Sequence, residues 1–134
     1  MVNLVIFLFR RRRPPQDGST AIEVRCQTLD KSLEEIGVHN CDLIKMDIEG
    51  AELFAIQGMD KTLANNPMIS FLIEVHHKQI RTLGGTTEDI LGFFLKNGFQ
   101  LYELTMWHGI VALNSTSNRI KGHLLCLREP DRTS

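Results

Sequence analysis

"DLIKMDIEGAEL", residues 42–53, decides how this chain is read. Up to Ile48 it has the apolar density of a buried strand, and from Gly50 onward its apolar spacing turns helical. Yet Lys45, Asp47 and Glu49 fall at alternating positions, where a central strand would be apolar on both faces. Period-two geometry puts Leu43, Lys45 and Asp47 on one face and Ile44, Met46 and Ile48 on the other. That polar edge is either catalytic or an ion pair that holds two strands in register.

On the N-terminal side, "AIEVRC" (21–26) alternates like a short strand, and "TLDKSLEEIG" reads as a helix capped by Thr28 and ended by Gly37. On the C-terminal side, Leu53, Ile56, Met59 and Leu63 form one helical stripe. Gly58, costing about 1 kcal/mol against alanine, is expected to break that helix in two, and Pro67 closes it. "MISFLIEVHH" (68–77) reads as a strand and "RTLGG" as a loop. Thr86 and Asp89 then make a capping box for a helix carrying Ile90, Phe93, Phe94 and Leu95, stopped by Gly98. "FQLYEL" (99–104) and "HLLCLRE" (123–129) read as strands, "IVAL" (110–113) as a shorter one, and "NSTSNRIKG" as a loop. This alternation predicts an α/β domain over 21–130 with a mostly parallel sheet, crossover helices and an antiparallel last strand.

A hydrophobic fraction of 43% over 134 residues suits one globular domain with a real core. The net charge of -1 argues against nucleic acid as a partner. Cys26, Cys41 and Cys126 fit neither a zinc spacing nor a disulfide framework, which points to a reducing, cytoplasmic setting. "MVNLVIFLFRRRR" opens the chain with its arginines, Arg10 to Arg13, after the apolar run, the reverse of a signal peptide. Leu4 to Phe9 is too short to span a bilayer and reads as an edge strand, a membrane-surface contact or a ragged end. Residues 1–20 are thus an irregular segment closing on the turn "PPQDGS", and 131–134 a tail.

With the strands 42–48 and 70–76 parallel and adjacent, the expected register sets Lys45 against Glu74 and Asp47 against His76. Lys45 with Glu74 then forms a structural ion pair, because a buried lysine needs a partner. Asp47, Glu49 and His76 sit at the carboxyl ends of the strands, where ligands gather in such sheets. They suit a general base with its orienting partner, or a hard divalent cation held through oxygens and one nitrogen. Glu49 is equally explained as a carboxylate at a helix N-terminus. His39 and His77 read as solvated, and His108 and His123 fit no ligand spacing. No metal is assigned.

The ordered set "TLDKSLEEIG…CDLIKMDIEGAELFAIQGMDKTLANNP…SFLIEVH…EDILGFFLKNGFQLYEL", from Thr28 to Leu104, resembles the C-terminal half of the FkbM-type family of S-adenosylmethionine-dependent methyltransferases. The resemblance implies the C-terminal part of a class I, Rossmann-like fold, and methyl transfer to a hydroxyl of a sugar or other small molecule. It places Asp47, Glu49 and His76 beside the reacting methyl group, with Asp47 and Gly50 as candidates for touching the cofactor. The family's glycine-rich cofactor turn has no counterpart ahead of the "TLD" helix, where Gly18 is the only glycine. The expectation is therefore a truncated domain, weak in binding the cofactor alone and prone to self-association or to pairing with an upstream-encoded chain. Two other readings stay open: a non-catalytic interaction module, and a metal-dependent hydrolase built on Asp47, Glu49 and His76.

Overall fold

The computed structural model describes residues 4–7 (backbone only), 27–114 and 120–129. The strand expected at 21–26, Cys26, Arg10 to Arg13 and the tail lie outside the described residues.

The elements run β1 (Leu4–Phe7), α1 (Leu29–Glu35), β2 (Leu43–Met46), α2 (Glu52–Ile56), α3 (Asp60–Asn65), β3 (Ser70–Glu74), α4 (His77–Thr82), α5 (Thr87–Lys96), β4 (Gln100–Thr105), β5 (Gly109–Ala112) and β6 (His123–Leu127). They build one six-stranded sheet in the order β1-β2-β3-β6-β4-β5. Only β1 with β2 and β2 with β3 are parallel; β3 with β6, β6 with β4 and β4 with β5 are antiparallel. The expected mostly parallel sheet is thereby corrected to a mixed one. The reason lies at the C-terminal end: β4 turns back tightly into β5 through Met106 to His108, and β6 then inserts between β3 and β4. Hairpin-linked strands cannot be parallel, since a parallel return needs a long crossover. At the other end, β1 lies parallel against β2 and forms that edge of the sheet.

Alternation along β2 and β3 is visible in burial. Ile44, Met46, Phe71 and Ile73 are buried while Leu43, Lys45, Leu72 and Glu74 are half-buried. The core joins these inward residues to Leu29, Leu33, Ile56, Met59, Leu63, Ile90, Leu91 and Phe94 from the helices. Phe94 stands among three rings, with centroids 5.0 Å from Phe71, 5.4 Å from Phe93 and 5.3 Å from Phe99. Arg128 lies over Phe99 at 4.4 Å from the ring centre and spends its donors on the carbonyls of Leu63 and Asn97.

The break at Gly58 separates α2 from α3, and α1 supplies what the break lacks. Asp30 accepts hydrogen bonds from the backbone N–H groups of Lys61 and Thr62, at 2.9 and 2.8 Å, and from the Thr62 hydroxyl at 2.6 Å. Met59, at the N-cap of α3, makes no side-chain cap, so the carboxylate of Asp30 fills that role from another helix. Helix α5 carries the capping box in full. Thr86 Oγ1 accepts from Asp89 N–H at 3.1 Å, and Asp89 accepts from Thr86 N–H at 2.8 Å. Thr86→Ala is expected to cost about 1 kcal/mol, readable in urea denaturation followed by far-ultraviolet circular dichroism.

Two expectations fail between residues 68 and 85. The strand ends at Glu74 rather than running to His77, and a further helix, α4, runs from His77 into the first two residues of the stretch read as a loop. Ile80 is the one buried residue of α4, so six residues give no stripe to read.

Candidate active site

Because β2 and β3 are parallel neighbours, the turns leaving their carboxyl ends lie side by side. The register differs from expectation by two residues: Lys45 pairs with Leu72, and Met46 with Ile73. One step further along the same offset sets Asp47 beside Glu74. Lys45 consequently forms no ion pair with Glu74 among the described residues, and the structural pair is withdrawn. The carboxylate of Glu74 lies instead near two imidazoles, 3.9 Å from His76 Nε2 and 3.7 Å from His123 Nε2.

Asp47, Glu49 and His76 come together, each offering a ligand atom within 4.8 Å of the others. Asp47 Oδ1 lies 3.5 Å from His76 Nε2. Backbone conformation aims Glu49: its φ is 56° and that of Gly50 is 101°, two successive left-handed residues that turn the chain sharply from β2 into α2. Gly50 itself, a candidate for cofactor contact, is buried against Gln79 of α4, and its close approach is to the protein.

Glu52 completes the site, and sequence reasoning passed over it. Its side chain is fully buried at the start of α2, and Oε1 lies 2.7 Å from His76 Nδ1. A carboxylate accepts, so Nδ1 carries the hydrogen and Nε2 is the ring atom turned toward Asp47. Glu52 Oε2 is buried with no hydrogen-bond partner. Burial pulls the imidazole of His76 toward its neutral form. The Glu52 hydrogen bond and charge, with Glu49 and Glu74 nearby, outweigh that and raise its pKa above the ordinary value. The signal for Glu52 was present in the sequence, as a charged residue three places after Glu49 at the head of an apolar helix.

His77 is not solvated. Its Nε2 lies 2.7 Å from the Ile120 carbonyl and its Nδ1 2.5 Å from Thr87 Oγ1. The carbonyl only accepts, so Nε2–H donates to it, while Nδ1 and the Thr87 hydroxyl form the second hydrogen bond. The ring thus ties α4 to α5 and to the approach of β6, next in sequence to His76. His39 is exposed, and His108 lies in the β4–β5 turn. Burial raises the thiol pKa of Cys41 and, more strongly, that of Cys126, so neither is primed as a nucleophile. A hollow of about 210 Å³ opens between α1 and α3, lined by Asp30, Leu33, His39 and Asn66 among others, and shares no residue with the cluster. Among the described residues, no helix is long and apolar enough to cross a membrane.

An α/β sheet with a paired carboxylate and imidazole site on adjacent parallel strand ends defines a domain suited to handling a proton or a cation. The Methyltransferase FkbM domain family matches residues 6–101, and this chain belongs to it: it is a methyltransferase domain by family. Over 77 residues it is 27% identical to AMB antimetabolite synthetase AmbE of Pseudomonas aeruginosa, a match covering 58% of this chain and 4% of that protein. The chain therefore spans a small part of the length of that curated relative. No solved structure matches it.

The family implies S-adenosylmethionine as methyl donor. The donor's sulfonium is positively charged, and the carboxylates of Asp47, Glu49 and Glu74 suit such a group. Its adenosine end calls for a glycine-rich turn after a strand, and between β1 and α1 the sequence offers Gly18 alone. The residues present fit the reacting end of that cofactor and not its adenosine end.

Proposed function

We infer that this chain carries the acceptor-side half of an S-adenosylmethionine-dependent O-methyltransferase acting on a hydroxyl of a sugar or other small molecule. The convergence of Asp47, Glu49 and His76 at the ends of β2 and β3, in a chain of this family, carries the reading. S-adenosylmethionine, when bound, supplies the electrophilic methyl group. The chain's own residues do the rest. Asp47, Glu49 and, in the ring's neutral form, His76 Nε2 present acceptor atoms, so a hydroxyl laid against them donates its hydrogen. Its oxygen becomes more nucleophilic, and its proton has somewhere to go. Glu52 holds the imidazole in the tautomer this requires, and the sharp β2–α2 turn sets Asp47 and Glu49 on one side of the site, as in-line attack demands.

The test is transfer of isotopically labelled methyl from S-adenosylmethionine to a panel of sugar and polyol hydroxyls. It is run with this chain alone and with the chain extended by the coding sequence that precedes it. Labelled methyl ethers are expected, more abundant in the extended form. Label on nitrogen or carbon only, or none in either form, refutes the reading.

A further inference from the structure

We propose that Asp47, Glu49 and His76 form a binding site for a divalent cation of the manganese type, with Glu52 fixing the imidazole from behind. The binding claim stands apart from the methyl-transfer reading; only the cation's use in chemistry rests on it. Three features of the cluster carry the proposal.

First, the donor set is mixed: two carboxylates supply hard oxygens and one imidazole a borderline nitrogen. Bonds of about 2.0–2.2 Å to one ion set neighbouring donors about 3–3.5 Å apart. Asp47 Oδ1 and His76 Nε2 already stand at 3.5 Å, and exposed Glu49 closes the remaining distance by rotation. Second, negative charge crowds the cluster. With Nδ1 held by Glu52, the ring turns Nε2 toward Asp47 Oδ1, with Glu74 Oε1 at 3.9 Å. Among the described residues, no lysine or arginine is ion-paired with Asp47, Glu49, Glu52 or Glu74. Four carboxylates around one imidazole make the cluster attractive to added positive charge.

Third, Glu52 is fully buried with one oxygen on Nδ1 and the other without a partner. A carboxylate behind a histidine, on the ring nitrogen opposite the metal, is the outer-shell arrangement that sets tautomer and basicity in metal sites. Burying it for packing alone is costly, since an apolar residue would fill the space without the desolvation penalty. The half-exposed carboxylates leave positions on the ion open to water or to a ligand oxygen. A cation there would act as a Lewis acid on the acceptor hydroxyl.

The experiment titrates the whole chain with Mn2+ in the absence of cofactor, following loss of the free-ion paramagnetic resonance signal. Saturable uptake of one ion per chain is expected. Asp47→Asn and Glu49→Gln, both on partly or fully exposed side chains, should each weaken affinity at least about tenfold. Glu52→Gln, checked for fold by circular dichroism, should weaken it about ten- to a hundredfold. Asp60→Asn, in α3 away from the cluster, should leave it unchanged. No uptake up to millimolar Mn2+, or Asp47→Asn and Glu49→Gln titrating like the parent, overturns the site. An unchanged Glu52→Gln variant removes the buried carboxylate from it and overturns the proposal as stated. None of these readings moves if methyl transfer is absent, so the two ideas fail separately.

Discussion

Gly50→Ala is expected to lose about 2–5 kcal/mol of folding stability, the sum of a left-handed penalty and an overpacked contact. At φ 101° an added methyl is strained before any neighbour is considered. A Cβ there would lie 2.5 Å from Gln79 Cβ and 2.7 Å from the Gln79 carbonyl carbon. Backbone cannot swing aside as a side-chain tip can, so α4 would have to lift off the β2–α2 turn. His76 sits at the N-cap of α4, so the same displacement would pull the imidazole from Glu52. The comparison is Gly92→Ala, the same added methyl in the interior of α5 with no atom within 4 Å of the new carbon. Helix propensity alone then acts, and stability should rise by about 0.5–1 kcal/mol. Urea titrations of both variants by circular dichroism decide the matter. A loss below about 1 kcal/mol at Gly50 would mean that α4 does not press on the turn.

Phe94→Ala should cost about 3–5 kcal/mol, a large share of the roughly 5–15 kcal/mol that holds a domain of this kind together. The ring is fully buried and touches the rings of Phe71, Phe93 and Phe99, so its removal opens a cavity whose walls belong to α5 and the centre of the sheet. Phe71 lies in β3, hydrogen-bonded to β2 on one side and β6 on the other, and cannot move in to fill the space without breaking ladders. The loss reaches the site through Thr87, which α5 holds against His77. Phe94→Leu should recover more than half of the deficit by restoring volume. Equal losses in the two variants would show that the aromatic contacts, and not the volume, are what matter there.

Much of this arrangement can be read from the residues. Thr86 and Asp89 announce α5, Gly58 marks the gap between α2 and α3, and alternation in "LIKM" and "SFLIE" gives β2 and β3 with their buried faces. These signals are local, each a contact between residues within a few places of one another. What local pattern does not carry is register and strand order. Equal spacing of Lys45 and Asp47 with Glu74 and His76 suggested direct pairing, yet any two-residue slide preserves that pattern, and the observed offset uses one. The insertion of β6 between β3 and β4 depends on contacts between residues far apart in the chain, which periodicity does not encode. Glu52 was hidden for a related reason. A glutamate at the start of a helix looks solvated and dipole-matched until the fold lays His76 over it.

The tight return from β4 to β5 places Trp107 at its tip, 87% exposed, and this is the chain's single tryptophan. Indole emission reports the polarity around the ring, and here water surrounds it whether the protein is folded or not. Intrinsic fluorescence will therefore stay almost flat through the urea transition that circular dichroism detects. The same isolation makes the indole a clean lamp: a blue shift on adding any other molecule reports coverage of that hairpin and nothing else.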